Sequence, residues 1–311
     1  MAAAKKTTGT GTPKRKTAAQ KKKEQEAEQA QAATPSDKEP GQPAKAATSP
    51  EKEVTEKLFH KDFEKLKTYA NATIGGYKIP VNMTGEAGVS KTFSCMQLAE
   101  ELGVPFFYIS GSRQLSKSDV LGFKSPDGRY IDSQLGEAYT QPCVFVLEEA
   151  DAVDTNVMMN VNTALSSGKG FFGGRMLDRH PDFIFISTSN TYNGGDSKYN
   201  ARQKHDASTM SRFTKLPWNL DEKLEQGIIG HTQLAEYIGK VRVELNKRDY
   251  DLFMRDALNF KGLLDAGIEF KEAAESTIFR EVSSEKVVDE LVEMYGNKQP
   301  DSEELEIEWV D

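Results

Sequence analysis

Eight residues constrain this chain more than any others. Gly85-Glu86-Ala87-Gly88-Val89-Ser90-Lys91-Thr92 follows a short apolar run, Ile79 to Met83, and leads into the helical pattern Thr92 to Leu102. A strand that turns through a Gly-rich loop into a helix aims backbone N–H groups and the positive end of the helix dipole at one point. That is a cradle for a phosphate chain. At the spacing G-x-x-x-x-G-K-[ST], the lysine reaches the β- and γ-phosphates and the hydroxyl ligates Mg2+. Lys91 and Thr92 hold those positions, and Ser90 stands where a second glycine is expected. Ser adds a small side chain where the backbone approaches phosphate, but does not forbid the loop. Taken alone, the same letters also describe a Gly-rich turn, and only the rest of the chain can decide between the two.

Three later segments supply that context. Val144-Phe145-Val146-Leu147 is an apolar strand ending in Glu148-Glu149. In phosphate-loop nucleotide hydrolases such a strand delivers one acid to the metal shell and another to the attacking water. Glu148 takes the metal position, where Asp is usual, and Glu149 the water position. The extra methylene of Glu148 predicts a displaced or direct metal contact. Phe183-Ile184-Phe185-Ile186 opens a second apolar strand, which runs to Asn190. An Asn at the carboxyl edge of an open sheet can orient the lytic water. Arg212, in Thr209-Met210-Ser211-Arg212-Phe213, closes a short helical segment. It is a candidate to stabilise transition-state charge on a neighbour's nucleotide. Arg202 is its rival, and a surface pair with Asp206 is the plainer reading.

Around these motifs, strands alternate with helices. Residues 51–72 read as helix, Phe106 to Ser110 as strand, Ser116 to Leu121 as a short helix, and Phe123 to Ile131 as a hairpin around Pro126-Asp127-Gly128. Asn156 to Leu165 reads as helix, and the Gly-rich stretch Gly168 to Gly174 comes next. Such alternation implies a parallel sheet with helices on both faces. After Trp218 the pattern becomes helical, with no clear strand through residue 295. Cys95 and Cys143 lack metal-ligand spacing and read as reduced core thiols.

The order of these segments resembles the AAA+ ATPases. Ser116-Lys117-Ser118-Asp119-Val120-Leu121-Gly122 with its hairpin looks like the helix-two insert of the MoxR-type branch, and Gly170 to Asp182 like the hairpin that branch carries before the Asn strand. Arg179-His180-Pro181-Asp182-Phe183, Ser189-Asn190-Thr191 and residues 206–213 resemble the ATPase subunit of cobaltochelatase and its phage-encoded relatives. The resemblance covers about residues 75–295. It implies a P-loop AAA+ α/β core over 51–218 and a helical lid over 219–298. It further implies ATP with Mg2+ at a subunit interface, and a ring, commonly a hexamer, in the cytoplasm. The partner is a remodelled protein, often one with a von Willebrand factor A domain. It also assigns Arg255, near the start of a lid helix, to contact with the nucleotide. Ser90 and Glu148 depart from the usual Gly and Asp, which points to slow hydrolysis.

The ends differ from the middle. Residues 1–50 carry a net +5 with no Ile, Leu, Val or aromatic residue, which predicts a disordered basic tail. Residues 299–311 are acidic. The basic arm leaves a DNA-directed motor or loader as an alternative function, the two departures a nucleotide-gated scaffold, and the named relatives metal chelation. No segment approaches the roughly 20 apolar residues of a membrane span.

Overall fold

A computed structural model describes residues 57–191, 205 and 207–295. The expected tails at 1–50 and 299–311, and the rival arginine Arg202, lie outside the described residues. The central sheet has five parallel strands: β3 (Val81–Thr84), β4 (Phe106–Ser110), β7 (Cys143–Glu148), β10 (Phe183–Ser189) and β11 (Thr214–Pro217), in the spatial order β11-β3-β10-β7-β4. Their side chains alternate between two cores, as the period of two along a strand requires. From β7, Cys143, Phe145 and Leu147 enter one core, and Val144 and Val146 the other. β10 repeats this with Phe183 and Phe185 against Ile184 and Ile186. Continuous apolar strands buried on both faces are what a parallel sheet demands.

One face is covered by α1 (Phe63–Asn71) and α2 (Lys91–Leu102), through Phe63, Leu66, Cys95 and Leu98. The other is covered by α3 (Lys117–Leu121), α4 (Gln134–Tyr139) and α5 (Thr155–Ser167), with Tyr139, Phe145, Phe172, Phe183, Phe185 and Phe213 in linked ring contacts. Three two-stranded antiparallel ribbons flank the sheet: β1 (Thr73–Ile74) with β2 (Tyr77–Lys78), β5 (Phe123–Lys124) with β6 (Tyr130–Ile131), and β8 (Lys169–Phe172) with β9 (Arg175–Asp178). Arg179, one of the residues that carry the family resemblance, is buried structural glue. Its guanidinium donates to the carbonyls of Leu165, Lys78 and Phe183. Both cysteines are free and buried, and burial pushes both thiols up, Cys143 to about 12.

Between α5 and the lid come α6 (Ala207–Met210) and β11. The helical unit comprises α7 (Glu222–Ile229), α8 (Thr232–Asn246), α9 (Met254–Asp265), α10 (Phe270–Ser276) and α11 (Glu285–Glu293), built on their own apolar cluster that includes Ile238, Leu245, Phe260 and Phe279. The α/β core followed by a helical unit is the architecture expected. None of the described helices is long and apolar enough to cross a membrane.

The helix expected over 51–72 begins only at Phe63 within the described residues. Tertiary bonds take the preceding backbone: the Leu58 carbonyl accepts from Gln97, and Lys61 N–H donates to the Asp221 carboxylate. Between them His60 stacks on Trp218 with centroids 3.9 Å apart. Its Nε2 lies 2.8 Å from the Asn219 carbonyl, and its Nδ1 accepts from Asp62 N–H at 3.0 Å. A carbonyl can only accept, so this is the neutral imidazole with Nε2–H.

Burial lowers the His60 pKa below its ordinary value, outweighing the Asn219 carbonyl and the Asp221 and Asp62 charges that raise it. On acidification the unfolded chain therefore protonates first, at about 6.5, and folding loses stability as pH falls from there toward the lower native value. The expected outcome is a wild-type melting temperature that drops, as pH falls below about 6.5, more steeply than that of His60→Phe. That variant is less stable at neutral pH, having lost two hydrogen bonds. Equal slopes in calorimetry overturn the assignment.

Candidate nucleotide site

The loop between β3 and α2 is held in shape from three sides. From below, Trp218 N–H donates to the Thr84 carbonyl (2.8 Å), and the Trp218 indole donates to the Val89 carbonyl (3.1 Å). A methyl group on Gly85 would sit 1.7 Å from the Trp218 carbonyl oxygen, so glycine is required there by close approach. From inside, the Lys91 ammonium donates to the carbonyls of Gly85 (2.7 Å) and Glu86 (2.6 Å) and to Asn190 Oδ1 (3.1 Å). From the lid, a methyl on Gly88 would meet Phe253 Cβ at 3.2 Å and the Arg255 backbone nitrogen at 3.4 Å.

The acids arrive at the carboxyl edge of the sheet. Glu148 ends β7, and its Oε1 accepts a hydrogen bond from Thr92 Oγ1 at 2.5 Å. Thr92 hydroxyl and Glu148 carboxylate are hard oxygen donors side by side, which fits a Mg2+ held jointly with phosphate oxygens. Among the described residues no group of three or more His, Cys, Asp or Glu is gathered to hold a metal unaided. Glu149 is exposed and adopts the left-handed conformation (φ 47°, ψ 41°) at the head of a 3₁₀ turn, Ala150–Ala152. Its N–H lies 3.4 Å from Thr188 Oγ1.

One residue of this turn escaped the sequence reading. Asp151 is 3% exposed, and one of its carboxylate oxygens accepts from the N–H groups of Asn190 and Thr191 and from Thr191 Oγ1. It ties the acidic turn to the Asn190 loop. The only signal was an acid two places beyond Glu149, indistinguishable from a solvated turn residue.

Lys91, Thr92, Glu148 and Asn190 therefore meet, linked pairwise by hydrogen bonds, with Glu149 on the adjoining turn. Arg212 stands apart. It is exposed and bonded locally, Nη1 to the Ser208 carbonyl at 3.1 Å. Arg255 is exposed at the start of α9, beside Gly88. That helix start is anchored by Asp256, which accepts from Phe253 N–H (3.0 Å) and from Arg280 (2.6 Å).

A cavity of about 250 Å3 adjoins the loop, lined by Glu86, Ala87 and Val89 on one side and by lid residues such as Tyr250, Leu252 and Phe253 on the other. Its lid wall is braced by Arg242, which makes a two-pronged bond to the buried Glu225 and a third to the Leu252 carbonyl. Sequence reasoning did not find this cavity, because its two walls lie more than 150 residues apart.

Part of the chain is similar to known proteins. Residues 80–213 match the family model of an AAA domain of the dynein-related subfamily. The gas vesicle ATPase GvpN of Haloferax mediterranei is 30% identical over 138 residues, 36% of this chain and 40% of that protein. The chloroplastic ATP-dependent zinc metalloprotease FTSH 6 of Arabidopsis thaliana is 33% identical over 97 residues, 30% of this chain and 14% of that protein. The chain thus spans less than half the length of these curated relatives. The crystal structure of NtrX from Brucella abortus aligns with a TM-score of 0.43 at 11% identity, over 76% of this chain and 51% of that one.

Ser90, the departure from the loop pattern, sits at φ 63°, ψ 17°, a left-handed conformation that glycine adopts freely. Its hydroxyl is buried without a hydrogen-bond partner. A non-glycine residue there costs about 1–2 kcal/mol, and the orphaned hydroxyl adds to it. Ser90→Gly is therefore expected to exceed Ser90→Ala in unfolding free energy by about 1 kcal/mol, measured in denaturant without nucleotide. The reverse order overturns the strain assignment.

Proposed function

We propose that this chain binds ATP with Mg2+ and hydrolyses it at a site completed by a second copy. The observation that carries this reading is the convergence of Lys91, Thr92, Glu148 and Asn190 at the N-terminus of α2, beside a cavity of about 250 Å3 walled on one side by the lid. Ligands of open α/β sheets bind at this edge.

In the proposed mechanism Gly85 to Thr92 wrap the phosphates, with N–H groups and Lys91 balancing their charge. Thr92 and Glu148 would hold Mg2+, which would supply neutralisation of phosphate charge. Glu149 polarises the attacking water, and Asn190, bonded to Lys91, positions it against the γ-phosphate. Arg255 approaches from the lid. Arg212 acts in trans on the nucleotide of an adjacent copy, a reading favoured by its exposure and by its purely local bonding.

The MoxR-type resemblance extends the proposal to a ring, commonly of six copies, in the cytoplasm. The ring remodels a partner protein, with a von Willebrand factor A domain as the candidate module. The strained Ser90 favours a second reading, a nucleotide-gated scaffold with little turnover. The basic arm at residues 1–50 keeps a DNA-directed motor as the third.

Turnover and binding separate these readings. Lys91→Ala is expected to weaken nucleotide binding at least tenfold. Glu149→Gln is expected to keep affinity within a few-fold and lose about 10²–10⁴ in turnover, the usual worth of a general base. Arg212→Ala should also be slow. Mixing it with Glu149→Gln should restore part of the activity, since some of the intact Glu149 residues then face an intact Arg212. No restoration, with both variants binding ATP and assembling together, refutes the trans role. Binding without turnover above Glu149→Gln favours the scaffold.

A further inference from the structure

His205 is 5% exposed, lines no part of the lid cavity, and has no role in the proposed hydrolysis. Its Nε2 is 2.9 Å from the Ala150 carbonyl. The carbonyl only accepts, so Nε2 carries the proton and Nδ1 is left as an acceptor. Nδ1 is buried with no hydrogen-bond partner. Burying an unpaired ring nitrogen is unfavourable, and an apolar side chain would fill the same space without that cost. The one bond the imidazole makes is therefore what distinguishes it from packing.

That bond ends at an informative place. Ala150 comes directly after Glu149, in the 3₁₀ turn whose head is held at a positive φ. Asp151 of the same turn holds Asn190 and Thr191. On the other side, residues 207–210 form α6, Arg212 lies just beyond it, and Phe213 closes the segment by packing on Phe185 with centroids 6.1 Å apart. The Arg212-bearing segment is thus held by Phe213 on the sheet and by His205 on the Glu149 turn, with Thr209 of α6 also buried. Asp151, Ser189, Thr191, His205, Met210 and Phe213 surround one small cavity of about 10 Å3, roughly the space of a single water. The turn, the Asn190 loop and the arginine segment therefore meet around one small cavity.

We propose that His205 is a positioning residue that transmits the nucleotide state of its own chain's Glu149 turn to Arg212. If Arg212 acts on the adjacent copy, this bond links neighbouring sites. The inference rests on nucleotide binding at this site but not on hydrolysis.

The test reads the arginine segment directly. Cys95 and Cys143 are buried with thiols pushed up in pKa, so the exposed substitution Ser211→Cys can be spin-labelled selectively. Label mobility is measured in the full chain with and without ATP·Mg2+, in Glu149→Gln to prevent turnover, and nucleotide affinity is measured in parallel. The expected result is an ATP-dependent change with His205 present, its loss in His205→Phe at an affinity within about twofold, and its recovery in His205→Gln, whose amide N–H2 can reach the same carbonyl. An unchanged response in His205→Phe overturns the proposal, as does no response in the parent protein when it binds ATP. Failure to bind ATP at all would instead strike the reading of the site itself.

Discussion

The ammonium of Lys91 is the group on which the site depends. It is 9% exposed, and its bonds to the Gly85 and Glu86 carbonyls and to Asn190 join three strand ends, those of β3, β10 and, through Thr92 and Glu148, β7. A buried cation is costly unless well paired, so the loop around it is held to a narrow set of shapes. The rest of the core serves that constraint. The sheet brings the strand ends to one edge, and Trp218 braces the loop from beneath so tightly that only glycine fits at position 85.

Strain gathers at the same edge. Among the described residues Ser90 and Glu149 are left-handed there without being glycine, and Asp249 in the helical unit is the third. Such conformations persist only where surrounding bonds over-determine them. Around Ser90 those bonds are the helix start and the Trp218 brace. Around Glu149 they are Asp151 to the Asn190 loop and His205 to the Ala150 carbonyl. The loop and the acidic turn share Asn190, which Lys91 and Asp151 both bond, and His205 ties the turn to the Arg212 segment.

Much of this was legible in the residues. The strand Phe106–Ser110 has the ends its apolar run predicts, and the acidic strand and the Asn strand lie where their patterns place them. What was missed has two causes, weak local signal and tertiary override. β11 (Thr214–Pro217) carries one buried apolar residue and a proline, too little for a period-two signal, yet it supplies the edge that positions Trp218. α4 (Gln134–Tyr139) is six residues with a glycine inside, below the length at which helical periodicity is readable. Residues 57–62 have helical spacing but make tertiary bonds instead, because Gln97 and Asp221 take their backbone.

Sequence alone determined the chemistry present: a lysine and a hydroxyl behind a glycine loop, two acids and an Asn at strand ends, and an arginine beyond them. Spacing along one chain encodes this because each group is delivered by its own strand or helix. Only the tertiary structure decided which of those groups touch. The Lys91–Asn190 bond, the Asp151 brace, the His205 strut and the lid wall beside Gly88 join residues far apart in the chain. Such contacts are set by how packed elements settle against one another, and no local pattern of residues records that.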